Sequence, residues 1–327
     1  MMRSRRSWLA GLAAFSVVSA LPASPALAQA DYPNRPVRLV VGFAPGGSND
    51  IVARLLAERL QKSFGQPVVV ENKPGAGGAV AAAFVKSQPA DGYTLLVGAS
   101  GAMVVGPAIG APATYDTLAD FDPVSLLVTF PLVFIVNAES PHKTLKDFVE
   151  WSKANPDSSN YASASPTFTL AAELLKLRTG ATMQRVSYRG TNVAVVAVLG
   201  NQVTAAMTDT LPAMPLLKDG KLRALAVTSP TRLAELPDVP TVAEAGIAGA
   251  EALFWTGLFA PKGTPKEIVT RLETEVKNTM QDPEVRQKLR TLATDAHSSS
   301  PAEFVDRIKA DLKGWSEVAK AANVTNE

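Results

Sequence analysis

Val37-Arg38-Leu39-Val40-Val41-Gly42-Phe43 is a short, β-branched, apolar run, and Ala44-Pro45-Gly46-Gly47-Ser48-Asn49-Asp50 turns the chain out of it. Beyond the turn, Ile51, Val52, Leu55, Leu56 and Leu60 recur at helical spacing, with Arg54, Glu58 and Arg59 on the opposite side. The first run carries the mark of a strand buried on both faces, as in a parallel sheet. The second is an amphipathic helix stopped by Gly65 and Pro67. Strand, glycine-rich turn, helix is the start of a crossover unit, so the fold is expected to be α/β.

The pattern repeats on both sides of a middle region. Pro67–Glu71 and Tyr93–Ala99 read as further strands, with the turn Pro74-Gly75-Ala76-Gly77-Gly78 and an Ala-rich helix to about Ser87 between them. Strands are expected at Leu132–Asn137, Val203–Thr208 and Leu222–Thr228. Helices are expected at Leu145–Ala154, Thr169–Thr179 and Val193–Leu199, and then at Pro265–Met280, Pro283–Thr291 and Pro301–Ala321, where proline opens each helix.

The N-terminus stands apart from this pattern. Arg3, Arg5 and Arg6 precede an apolar run from Trp8 to about Leu21, and Pro25-Ala26-Leu27-Ala28-Gln29-Ala30 supplies small-x-small cleavage sites. Residues 1–30 therefore read as a secretory signal peptide, cut after Ala28 or Ala30, which places the mature chain in the periplasm. The run is short against the roughly 20 residues of a membrane span. Ser4-Arg5-Arg6-Ser7-Trp8-Leu9 also resembles a twin-arginine export motif, so export by either route stays open. Without the leader, 29 basic residues face 30 acidic ones, and no basic tract remains for nucleic acid. The chain has no cysteine, which excludes disulfides, thiolate metal sites and lipid attachment through a cysteine. About 297 mature residues exceed one comfortable core. Two lobes are expected: residues 31–130 with 253–327, and residues 131–252, joined through strands near 130 and 253.

Four turns hold the residues that could bind a ligand. Phe43, Gly46, Gly47, Ser48 and Asn49 lie where a strand meets a helix N-terminus, the usual ligand position in open α/β sheets. Unpaired N–H groups and the helix dipole there favour an anion, while Ser48 and Asn49 can cap the helix or bond the ligand. The loop matches neither the dinucleotide nor the P-loop pattern, and no cofactor is expected. Gly98-Ala99-Ser100-Gly101-Ala102 nearly matches a nucleophile elbow. Its base would have to be His142 or His297, both of which look like surface residues. Ser100 fits a hydroxyl donor to a ligand better, although an exported serine hydrolase remains the competing class. With two histidines and no clustered carboxylates, a zinc site has no ligands. Ser163, Ser165, Thr167 and Thr169 form a second hydroxyl-rich turn ahead of a helix starting near Leu170. Asp209 either accepts a hydrogen bond from a ligand or caps the following helix, and Trp255 is either core or cleft lining.

Taken in order, these segments resemble the tripartite tricarboxylate transporter receptor family, the Bug-type periplasmic binding proteins. The likeness rests on Tyr32-Pro33, Arg35-Pro36-Val37, Phe43-x-Pro45-Gly46-Gly47-x-x-Asp50, Val70-Glu71-Asn72-x-Pro74-Gly75-Ala76-Gly77-Gly78 and Asp91-Gly92-Tyr93. It continues through Tyr188-x-Gly190, Gly220-Lys221-Leu222-Arg223 and Pro237-Asp238-Val239-Pro240-Thr241. The resemblance implies a two-lobe type II periplasmic-binding-protein fold with strands crossing between lobes. It further implies a monomer that holds a small organic carboxylate for an integral-membrane permease, not an enzyme; a ligand-dependent sensor partner shares the same fold. Carried over by position, it points to Phe43, Gly46, Gly47, Ser48, Asn49, Ser100, Ser163, Ser165, Thr167, Thr169 and Asp209 as ligand-binding. Many relatives have a glycine-rich turn ending in histidine before the Leu170 position, where this chain has Ala162, Ala164 and Thr169. That departure speaks against the usual citrate-like or amino-acid ligands and leaves room for another mono- or dicarboxylate, aromatic ones included given Phe43 and Phe168.

Overall fold

The computed structural model describes residues 32–325. The leader, its cleavage sites and the paired arginines lie outside the described residues. The chain from Pro33 onward forms one unit by its contacts.

The opening stretch folds as β1 (Val37–Val41) and α1 (Ser48–Phe64), followed by β2 (Val68–Asn72), a 3-10 turn at Ala76–Gly78, α2 (Ala79–Lys86) and β3 (Thr94–Ala99). β1 lies between β2 and β3 and is parallel to both, with Leu39 opposite Val70 and Leu95. A π turn (Gly101–Val105) and one turn of helix α3 (Gly106–Ala108) lead to β4 (Phe121–Asn137). Then come α4 (Leu145–Ala154), β5 (Asn160–Ser163), α5 (Pro166–Thr179), β6 (Gln184–Ser187), α6 (Thr191–Leu199), β7 (Ala205–Asp209), α7 (Thr210–Lys218) and β8 (Leu222–Val227). The chain finishes with β9 (Leu253–Pro261), α8 (Lys266–Gln281), α9 (Pro283–Arg290), β10 (Asp295–Ala296) and α10 (Pro301–Ala321).

The strands form one curled sheet in the order β2-β1-β3-β9-β4-β7-β5-β6, with β8 and β10 also pairing β4. β4 is the strand that joins its two halves. Residues Phe121–Pro131 pair with β9, and Leu132–Asn137 pair with β7 and β8. Residue 130 therefore lies inside a strand, and Leu253 is the first residue of β9. Pro123 and Pro131 hid the first half of β4 from the sequence reading, because proline argues against a central strand. Pro123 sits at a register shift against β9, and Pro131 sits where the pairing passes from β9 to β7 and β8, so neither missing N–H breaks a regular ladder.

Two other expectations need correction. α5 begins at Pro166, not Thr169: Ser165 is its N-cap, accepting from the Phe168 N–H at 3.4 Å, and the Ser-Pro pair outweighs the β-branched Thr167 and Thr169. α6 begins at Thr191. The segment after Asp209 is the expected helix; Pro212 falls in its first turn, where no intrahelical N–H is needed, and Pro215 lies inside it. Trp255 is core and fully buried; its indole packs edge-on against Phe304 (centroids 5.0 Å apart) and donates to Asp311 at 2.6 Å. No helix among the described residues is long and apolar enough to cross a membrane.

Candidate functional site

The carboxyl ends of the parallel strands in both halves of the sheet open on a single cavity of about 710 Å³. This is the crevice position expected of an open α/β sheet, and its size suits a small organic molecule. From one half it receives Phe43, Gly47, Ser48 and Asn49 after β1, Ala76, Gly77 and Ala79 after β2, and Ser100 and Gly101 after β3. From the other half come Ser165, Pro166, Thr167 and Phe168 after β5, Thr191 after β6, and Asp209, Thr210 and Leu211 after β7. Phe130 lines it from the crossing strand.

The first corner is built around a residue that does not line the cavity. Asp50 is 2% exposed, and its carboxylate accepts from the Gly46 N–H (2.9 Å), Arg54 Nε (2.8 Å) and Asn72 Nδ2 (2.9 Å). Burial would raise its pKa, but the bonds from Arg54, Gly46 and Asn72 outweigh that and hold it below the ordinary carboxylate value. Asn72 also donates to the Phe43 carbonyl at 3.0 Å, so one acid fastens the turn to α1 and to the end of β2. Gly46, at φ +84°, makes the turn and is the glycine whose conformation a side chain would strain. Gly47 is the N-cap of α1 and no side chain caps that helix, so its first turn stays open towards the cavity. Asn49 is held through its Oδ1 by the Thr256 hydroxyl.

Eight of the eleven residues expected from the sequence share the cavity: Phe43, Gly47, Ser48, Asn49, Ser100, Ser165, Thr167 and Asp209. Gly46 shapes the turn from outside. Ser163 and Thr169 bond each other at 2.8 Å and line a smaller neighbouring cavity of about 170 Å³. The two facing corners come close: a side chain added at Gly101 would lie 3.1 Å from Thr167 Oγ1. The sequence reading missed Thr191, Thr210, Phe130 and the Ala76-Gly77 turn as lining. The helix start after Gly190 was the available signal for Thr191.

Ser100 does not have the surroundings of a nucleophile. Its backbone is ordinary right-handed (φ −53°, ψ −29°), not the strained corner of an elbow. Its hydroxyl accepts from the Trp255 N–H at 3.2 Å, and neither His142 nor His297 lines the cavity. His142 is not a plain surface residue: it stacks on Trp151 (4.6 Å) and meets Phe148 edge-on (5.5 Å). Among the described residues, no group of three or more histidine or acidic side chains could hold a metal.

A family model described as the tripartite tricarboxylate transporter family receptor matches residues 52–324. The chain belongs to that family. It is 35% identical over 292 residues to BugT of Bordetella pertussis, covering 88% of this chain and 90% of the relative. Among solved structures, a protein from R. palustris determined with adipate shares 34% identity at TM-score 0.82, covering 90% of this chain and 99% of that one. MatC from Rhodopseudomonas palustris, with bound malate, shares 33% identity at TM-score 0.77, covering 88% and 99%. The family's members are solute-binding receptors, and this receptor has their mixed α/β fold with a curled sheet.

Proposed function

We propose that this receptor captures a small organic carboxylate in the cavity between the two halves of its sheet and presents it, unaltered, to an integral-membrane permease. One observation carries the reading. The first turns of four helices converge on the cavity, through Ser48 of α1, Thr167 of α5, Thr191 of α6 and Thr210 of α7, while among the described residues no lysine, arginine or histidine lines it. Each helix start offers unpaired N–H groups and partial positive charge, worth about 0.3–1 kcal/mol apiece towards an anion and more when partly buried. Several together support affinities near the micromolar range, about −8 kcal/mol. Phe43, Phe130, Phe168, Tyr115 and Leu211 supply apolar wall for the ligand's body, aromatic or aliphatic. The carboxylates bound to two solved relatives support the same chemistry.

Residues 31–130 with 253–327 act as one lobe and 131–252 as the other, closing by a hinge at β4 and β9 when a ligand bridges them. The receptor works as a monomer in the periplasm after loss of residues 1–30, and it catalyses no reaction, in keeping with the lack of a base beside Ser100.

Thermal-shift screening of aliphatic and aromatic mono- and dicarboxylates tests the proposal. A matching ligand at about 100 times its Kd adds roughly 2.7 kcal/mol of stability. If no carboxylate raises the melting temperature, the proposal is wrong.

A further inference from the structure

Eight hydroxyl-bearing residues line the ligand cavity, and half of them already hold a partner within the protein. Ser100 accepts from the Trp255 N–H, Tyr115 donates to the Ala102 carbonyl, Ser165 accepts from the Phe168 N–H and Thr294 donates to the Leu292 carbonyl. The hydroxyls of Ser48, Thr167, Thr191 and Thr210 bond nothing among the described residues. Ser48 belongs to the first corner. Thr167 Oγ1 is the atom that a side chain at Gly101 would meet, so it faces the opposite wall. Two hydroxyls of the second half are left.

Thr191 is the first residue of α6, after β6, and Thr210 the first of α7, after β7. β5 lies between β6 and β7, so the two threonines stand on either side of the start of α5. Neither position gives a threonine hydroxyl local work. The N-caps are Gly190 and Asp209, one residue earlier, and a first residue has no preceding helical turn whose carbonyl it could take. Thr210 is only 2% exposed, yet its hydroxyl is not sealed inside the protein as that of Thr208 is. A hydroxyl withdrawn from bulk water without a partner is a standing cost to the empty protein, and an oxygen of a bound ligand removes that cost. Branching at Cβ leaves each side chain few rotamers, so little freedom is lost when the bond forms.

We infer that the hydroxyls of Thr191 and Thr210 are the second half's specificity-determining donors, and that they favour carboxylates carrying a second oxygen function at the far end over plain ones of the same length. The inference rests on the carboxylate reading above and narrows it. The first corner offers main-chain N–H groups to one carboxylate, and the two threonines meet whatever stands at the other end of the ligand. A hydroxyl or a second carboxylate there completes their bonds, whereas a methyl or a ring C–H leaves both unpaired.

Titration calorimetry at neutral pH with two matched sets tests it: hexanoate, 6-hydroxyhexanoate and adipate, and benzoate, 4-hydroxybenzoate and terephthalate. The wild-type protein should bind the oxygen-bearing members of the set that fits on the order of 10- to 100-fold tighter than the plain acid. In the double variant Thr191→Val with Thr210→Val, which keeps the shape and removes both hydroxyls, that ratio should fall to within about 3-fold of unity, the plain acid binding as before. The pair Thr191→Ser with Thr210→Ser should keep the wild-type ratio. The melting temperature of the empty valine variant should stand at or above that of wild type, because no bond within the protein is lost. A hydroxyl with a structural role would give the opposite sign, so a less stable or unfolded valine variant overturns the inference. It is overturned as well by a wild-type protein that binds all three members of a set equally, by valine variants that keep the preference, or by serine variants that lose it; each leaves the carboxylate reading intact. No binding by any of the six compounds overturns both.

Discussion

Replacing Asp50 with alanine should loosen the first corner without emptying any large part of the core. Three donors lose their acceptor, but not at equal cost. Gly46 is exposed and Arg54 is about half exposed (53%), so both regain water. Asn72 is half-buried; it keeps the bond from its Nδ2 to the Phe43 carbonyl and the 3.4 Å bond its Oδ1 accepts from Arg54, but its second N–H loses the carboxylate. The penalty should therefore be about 1–3 kcal/mol, the cost of one buried donor left unpaired, and not three times that. In a protein of this size it would lower the melting temperature by a few degrees. The pH dependence gives a sharper test. The folded-state pKa of Asp50 is depressed, so its contribution is present above the ordinary carboxylate value near 4 and is lost as the pH falls below it. Urea unfolding of wild type and Asp50→Ala should then differ most at neutral pH and converge in acid. Carboxylate affinity should fall as well, because the turn bearing Gly47 and Ser48 is no longer fastened to β2. Equal stability at pH 7, or a difference that persists unchanged at pH 3, would refute the bracing role.

Two further outcomes follow from packing. Gly101→Ala places a methyl 3.1 Å from Thr167 Oγ1, across the cavity from it; it should weaken carboxylate binding about 5- to 10-fold while hardly changing unliganded stability, and Thr167→Ala should restore it. Calorimetry showing wild-type affinity for Gly101→Ala would mean that these walls do not approach in the bound state. Burial lowers the pKa of His142 and Asp147 only partly offsets this, so the folded protein resists its protonation and stability is lost as the pH falls through 6.5. In His142→Phe the loss of urea midpoint between pH 7 and pH 5 should be smaller than in wild type.

Much of the fold is legible because local signals agreed with tertiary packing. β1, α1 and α10 stand where apolar period and capping residues put them, α10 with a Ser300–Glu303 capping box and proline at its start. The misses have two causes: at β4 a non-local pairing overrode a local rule, and at α5 one local signal overrode another. Pro123 and Pro131 are poor strand residues, yet β4 spans both because β9 on one side and β7 and β8 on the other supply its partners. Thr167 read as turn because Ser163, Ser165, Thr167 and Thr169 formed a hydroxyl-rich stretch, but Ser165 and Pro166 start the helix ahead of it.

The candidate site divides along the same line. Ser48, Asn49, Ser165 and Thr167 could be picked out because a helix N-terminus is a local object, and local objects leave marks in sequence. Ser163 and Thr169 carry the same marks, and no local rule says that they will bond each other and turn away from the larger cavity. Asp209 is the most instructive residue. Sequence offers two uses for an acid at that position, helix cap or ligand contact. The choice depends on β7 being closed in by β4 and β5, which pair with it from 71 to 77 and from 44 residues away along the chain. In the folded chain Asp209 stands at the α7 N-cap position without a side-chain capping bond and lines the cavity, a placement set by those distant partners and not by its neighbours in sequence.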